Sequence, residues 1–190
     1  MNNELYDTLY RGISKVAWGY VFIFFNFNIQ TFNILPDFVG YLLFLSAIGL
    51  LQEIEPELKL IRPFGIVLAI YNVIDWFSQL FSIEWGGITQ LAGIVICIVS
   101  VYFQFQLITN LASLAKKYQS EGAGFDEKLL RYRNIYVVGT TVTMILTYLS
   151  LWLEEIGTYL AFGCAMVTLV VGICILVNLF SLRKEFREYS

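Results

Sequence analysis

The polar residues able to do chemistry fall into three lines. Asn26, Gln30 and Asn33 stand at i, i+4 and i+7, with Asp37 continuing the line. Asn72, Asp75 and Gln79 stand at i, i+3 and i+7, and Thr140, Thr143, Thr147, Ser150 and Glu154 are again three or four apart, with Glu155 beside them. Each spacing marks one face of a helix. Amides and hydroxyls on such faces can hold a polar ligand. The carboxylates Asp37, Asp75, Glu84, Glu154 and Glu155, with no fixed positive charge nearby, favour a cation or an ammonium group. The expected ligand-binding set is therefore Asn26, Gln30, Asn33, Asp37, Asn72, Asp75, Gln79, Glu84, Thr143, Thr147, Glu154 and Glu155.

Catalysis is not expected. The chain has no histidine, which removes histidine-dependent zinc proteases, Ser-His hydrolases and histidine phosphatases. No glycine-rich phosphate loop or dinucleotide fingerprint occurs. Glu154 and Glu155 are adjacent and point to different helix faces, a poor arrangement for paired-carboxylate chemistry. Cys97, Cys164 and Cys174 lie in apolar runs without metal-site or disulfide spacing. The reading is a non-enzyme with no metal and no cofactor.

The elements that must position these residues are membrane spans. The 190 residues are 58% hydrophobic and only 14% charged, with a mean hydropathy of +0.69, too few charges to cover a soluble surface. Apolar runs of spanning length cover approximately 16–35, 37–55, 64–83, 87–112, 135–153 and 156–180. The first follows Lys15, exceeds a signal-peptide core and lacks a small-residue cleavage site, so it reads as a retained helix. The predicted fold is an all-α, polytopic six-helix transmembrane bundle forming one integral membrane domain over 1–190. Its three hairpins are 16–55, 64–112 and 135–180, with a cytoplasmic linker over 118–134.

Charge sets the orientation. All twelve Lys and Arg fall in the N-terminal segment, the links after spans two and four, and the tail. Five of the acids, Asp37, Asp75, Glu84, Glu154 and Glu155, fall on the other side with no base. The positive-inside rule makes the basic side cytoplasmic, with both termini there. Trp85 and Trp152 mark the outer boundary and Trp18 the inner one. The basic clusters are boundary anchors rather than a nucleic-acid surface.

The hairpins carry signs of repetition. Segment 35–44 aligns without gaps to 153–162, with Leu, an acid, Tyr-Leu and Phe in register, and Gly19 precedes Asn26 as Gly65 precedes Asn72. Pro36 beside Asp37 is expected to open a helix, the carboxylate meeting the positive dipole end. Spans two, four and six lack a central stripe, so the odd spans should turn inward and the even spans should meet lipid. The cavity would lie between spans one, three and five, with Asp75 inside. Two readings follow: a small transport or ligand-binding component with an outward acidic polar cavity, or a non-catalytic regulator, immunity factor or assembly partner whose stripes join helices by hydrogen bonds.

The stretch from Asn33 through Leu35, Pro36, Asp37, Phe38, Val39, Gly40 and Tyr41 to Leu51 resembles a phrase in small multi-pass membrane proteins of Firmicutes that have no assigned activity. The resemblance implies a bacterial inner membrane and no site residues. Size and span count are also similar to the substrate-binding subunits of energy-coupling-factor vitamin transporters, but Phe22, Phe24, Phe25 and Phe27 crowd the place of a small-residue coupling motif. The expected partners are the lipid bilayer, a small cationic solute, and a membrane protein or second copy.

Overall fold

The computed structural model describes residues 2–25, 28–29, 32–33, 36–81, 83 and 88–189, excluding the side chains of 2, 28–29, 32–33, 88–91 and 150–154. Five helical stretches make an all-α fold: α1 (Asn2–Phe24), α2 (Asp37–Leu51), α3 (Leu58–Leu80), α4 (Ile88–Tyr118) and α5 (Phe125–Glu188). The last is not straight. Thr168 packs against Gly139, where an added Cβ would lie 2.5 Å from the threonine hydroxyl; an unbent helix would hold them about 44 Å apart. α5 therefore doubles back as two arms, giving six helical rods among the described residues.

Three of these helices, Leu58–Leu80, Ala92–Tyr118 and Glu155–Glu188, are long and apolar enough to cross a membrane, rather than the six expected. The reasons are local. α2 has 15 residues, about 22 Å of rise, against a hydrocarbon core of about 30 Å. The apolar run 135–153 on the first arm of α5 reaches side chains that lie outside the described residues. α1 ends at Phe24, and β1 (Asn28–Ile29) pairs antiparallel with β2 (Phe32–Asn33), placing Asn28 opposite Asn33. The helical line through Asn26, Gln30 and Asn33 is thus not realised: Asn33 lies in a strand, and Asn26 and Gln30 lie outside the described residues. The physical cause is an alternation of Phe25, Phe27 and Ile29 with Asn26, Asn28 and Gln30, the period of a strand.

The rods form a circuit in which α1 packs on α2 and α5, α2 on α3, α3 on α4, and α4 on α5. The two ends of the chain lie side by side, the Tyr6 ring facing those of Phe186 and Tyr189. At this same end Lys117 meets Glu55 at 2.7 Å and Arg183 donates to the Tyr10 hydroxyl at 3.1 Å.

Packing is dense at that end and loosens toward the other. Leu9, Ile13, Tyr20, Phe44, Phe103, Leu107, Leu179 and Phe186 are all fully or almost fully buried, whereas Ile70, Phe77, Val95, Val138, Leu160 and Phe162 are exposed. The expected alternation of inward and lipid-facing spans does not hold: α1 turns inward as expected, burying Leu9, Ile13, Val16, Ala17 and Tyr20, but so do α2 and α4. α2 buries Gly40, Tyr41, Phe44, Ala47, Ile48 and Leu51, and α4 buries Phe103, Leu107, Ile108, Leu111 and Leu114 together with Gln104 and Asn110. α3 instead leaves much of its length uncovered.

Two glycines allow the central contact. A Cβ on Gly40 would meet the Gly19 carbonyl oxygen at 2.7 Å, and one on Gly19 would meet the Phe44 ring at 2.6 Å. α1 and α2 therefore cross at backbone distance, as small residues permit in membrane bundles. The pair then engages α4: the Tyr20 hydroxyl donates to Gln104 Oε1 at 2.6 Å, the Tyr41 hydroxyl shares a 3.2 Å hydrogen bond with Ser100, and Phe44 packs on Phe103.

The expected linker over 118–134 is short. Gly122 and Gly124 take positive φ and confine the turn, the Phe125 amide donates to Gln119 Oε1, and α5 begins at Phe125. Phe125, Leu129, Tyr132 and Tyr136 repeat at helical spacing and pack on the core. The charges between them occupy the solvent side of a helix.

Gly40→Ala should lower the thermal midpoint in detergent by the equivalent of about 1–3 kcal/mol, the cost of overpacking. Gly49→Ala, whose Cβ meets nothing within 4 Å, should raise stability by about 1 kcal/mol through helix propensity. Circular dichroism melts check both, and equal shifts would contradict the crossing. Tyr20→Phe should cost about 1–3 kcal/mol by leaving the Gln104 carbonyl oxygen buried without a donor, and adding Gln104→Leu should recover much of it. A Tyr20→Phe protein as stable as the parent would remove this bond from the account.

Candidate ligand-binding cavity

The doubling of α5 creates the main cavity. On its first arm Tyr136, Thr140, Thr143 and Thr147 fall at i, i+4, i+7 and i+11 and present one column to the interior, with Met144 and Tyr148 beside it. The second arm supplies Ala165, Thr168 and Leu169 from one face, α4 supplies Cys97, and the last turn of α1 supplies Ile23 and Phe24. This open cavity has a volume of about 450 Å³, within the range of small-molecule pockets.

The floor is aromatic. Phe24 stacks on Tyr20 at 5.1 Å and meets Tyr136 edge-on at 5.8 Å. A Cβ on Gly172 would lie 2.9 Å from the Phe24 ring, so glycine there lets the ring seat against the second arm. Tyr20 in turn is held by Gln104, linking the floor to the dense half of the bundle.

The hydroxyls are not equivalent. Thr147 donates to the Thr143 carbonyl at 2.8 Å and Thr168 to the Cys164 carbonyl at 2.9 Å, the usual way for helical threonines to satisfy themselves. The Thr143 Oγ1 is sealed from solvent and has no hydrogen-bond partner among the described residues. Among the described residues no charged side chain lines the cavity.

Of the expected site residues, Thr143 and Thr147 are in the wall. Asn72, Asp75 and Gln79 are not. They continue the packed seam of α3, since Ile61, Gly65 and Leu68 stand at the same spacing and are buried, but they lie where the helices have diverged. Asn72 donates to its own helix at the Leu68 carbonyl, 2.7 Å away, and exposed Asp75 accepts from Gln79 at 2.7 Å. Asp75 is five residues, about 7.5 Å, from the end of α3, at a boundary depth rather than deep within the span. Asp37 is the first residue of α2, after Pro36 at the N-cap, one position earlier than expected for the proline. Glu155 is exposed at the head of the second arm. Glu84 lies outside the described residues, as do the side chains of Asn33 and Glu154.

The cavity thus belongs to α1, α4 and both arms of α5, not to spans one, three and five. Sequence spacing located the threonine column. It missed Cys97, Ile23, Phe24 and Leu169, which are ordinary apolar positions until the fold-back brings them together.

The chain matches no protein-family model, no curated protein and no solved structure.

Thr143→Val, which keeps the side-chain shape and removes the unpartnered hydroxyl, should leave the ligand-free protein as stable or more stable by about 1 kcal/mol. A thermal midpoint lowered by several degrees in the same detergent would show that this hydroxyl has a structural partner.

Proposed function

We propose that this chain is a membrane-embedded ligand-binding component, of a transport or sensing kind, in a bacterial inner membrane with both termini cytoplasmic. The observation that carries the reading is a buried, unpartnered Thr143 hydroxyl in the wall of an uncharged cavity of about 450 Å³. Three helices of spanning length and the exposed apolar surface around the cavity support the bilayer as solvent. All twelve basic residues outside the apolar middle of the spans support the orientation. The successive pairs α1 with α2, α3 with α4, and the two arms of α5 support six crossings built from repeated hairpins. The reading is binding rather than catalysis, since among the described residues the wall offers no general base and no metal-ligand set.

The cation preference suggested by the acidic residues has no support among the described residues, where no carboxylate is in the cavity wall. A second reading, an interaction protein, draws on a separate feature. A groove of about 250 Å³ on α5, formed by Gly139, Val142, Gly163, Cys164 and Val167, is wholly apolar and suits a partner helix or a second copy.

Two measurements test the proposal. Reporter fusions at each terminus should both read as cytoplasmic; opposite readings would end the six-crossing arrangement. A thermal-shift screen in detergent should find a small molecule that raises the midpoint of the parent and of Asp75→Asn equally, but not of Thr143→Val. A hit lost with Asp75→Asn and kept with Thr143→Val would move the site to α3.

A further inference from the structure

The ligand class is readable from the donors and acceptors that the cavity leaves over, an inference that rests on the binding reading above. Thr147 and Thr168 spend their protons on their own helix carbonyls, so toward the cavity their oxygens offer lone pairs only. Thr143 and Thr140 have no hydrogen-bond partner among the described residues. Beside the phenol hydroxyls of Tyr136 and Tyr148, the remaining wall is thioether, thiol, aliphatic and aromatic. An ammonium or carboxylate entering such a wall would lose its hydration without meeting a counter-charge, a penalty of several kcal/mol. What fits an uncharged, mainly apolar wall with unpartnered hydroxyl donors is a neutral, largely apolar molecule that carries a strong acceptor.

The route in agrees with that chemistry. Thr168 lies thirteen residues, about 20 Å, along the second arm from Glu155, so the cavity sits near the middle of a spanning helix. Its rim residue Leu169 is exposed, and its neighbours Met166, Val167 and Val170 on the second arm are exposed apolar side chains. A mouth with that border opens toward acyl chains, not toward water.

We infer that the cavity between the arms of α5 takes a neutral, lipid-soluble carbonyl compound from within the bilayer, its carbonyl oxygen accepting the Thr143 hydroxyl proton. Two sources share this chemistry: a quinone ring and the ester carbonyl of a glycerolipid chain.

Cys97 lines the cavity and gives the readout. A Cys164→Ser, Cys174→Ser protein, which retains Cys97 as its one thiol, is placed in vesicles of an ether-linked phosphatidylcholine, which have no ester carbonyl, and the rate of Cys97 alkylation by N-ethylmaleimide is followed. Decylubiquinone, monoolein, dodecane and dodecyltrimethylammonium are added in separate arms. The expected result is slowing by decylubiquinone or by monoolein, which identifies the source, with the apparent affinity about tenfold weaker in Thr143→Val and retained in Thr143→Ser, the value of one hydrogen bond. Protection by dodecane equal to that by the carbonyl probes, or insensitivity to Thr143→Val in a protein with an unchanged melting midpoint, overturns the carbonyl assignment. Protection by the ammonium probe alone overturns it while leaving a binding cavity in place. If no arm alters the rate and no compound in the thermal-shift screen raises the midpoint, the binding reading fails with it.

Discussion

Gly19 and Gly40 bring α1 and α2 so close that the backbone of one helix meets that of the other, and the rest of the bundle is arranged around that contact. Tyr20, one residue beyond Gly19, reaches Gln104 on α4. Phe44, one turn beyond Gly40, packs on Phe103. Phe24, one turn beyond Tyr20, meets Tyr136 on the first arm of α5 and Gly172 on the second. Separating α1 from α2 by the width of a methyl group would shift each of these rings, because a packed interior has no slack to absorb the movement. The cavity floor is therefore positioned by two residues that do not touch the cavity.

Polar groups in this chain divide into those that join helices and those that do not. Joining groups are concentrated in the dense half: Tyr20 with Gln104, Tyr41 with Ser100, Glu55 with Ser113 and Lys117, Arg133 with Thr109. In the looser half Asn72, Ser78, Thr147 and Thr168 donate to carbonyls four residues back along their own helices. A group satisfied in that way can face lipid at little cost. This explains how the outer parts of α3 and α5 carry many amides and hydroxyls while making few contacts with neighbours.

The all-α fold and the gathering of basic residues were legible in the sequence because both depend on composition and long-range charge pattern. The threonine column was legible because 140, 143 and 147 keep helical spacing inside a helix. The line through Asn26, Gln30 and Asn33 keeps similar spacing, but the Phe25–Gln30 segment also alternates with period two, and the shorter period wins where α1 ends. Segment 118–134 read as a charged linker because its charges outnumber its apolar anchors, although Phe125, Leu129 and Tyr132, with Tyr136 beyond them, pack on the core. α2 read as lipid-facing because a helix apolar on nearly every side carries no internal mark of which side is covered, and α4 did so because Gln104, Gln106 and Asn110 stand toward one end rather than in a central stripe. The partners decide it, and the decisive ones, Gly19 and Gln104, are single residues with no periodic signal.

Thr143 is an exception to the pattern of self-satisfied hydroxyls, and its surroundings make the exception informative. The carbonyl four residues back belongs to Gly139, the residue against which Thr168 packs as the two arms meet. Thr147, one turn further on, already uses the Thr143 carbonyl. Thr143 shares with Thr140, the preceding member of the column, a buried hydroxyl that has no hydrogen-bond partner among the described residues. Leaving a buried donor unpaired costs about 1–3 kcal/mol, a substantial share of the roughly 5–15 kcal/mol that stabilises a folded domain. A valine would fill the same volume without that cost. Among the described residues no acceptor meets the Thr143 or the Thr140 hydroxyl, and the ligand proposed above would supply one.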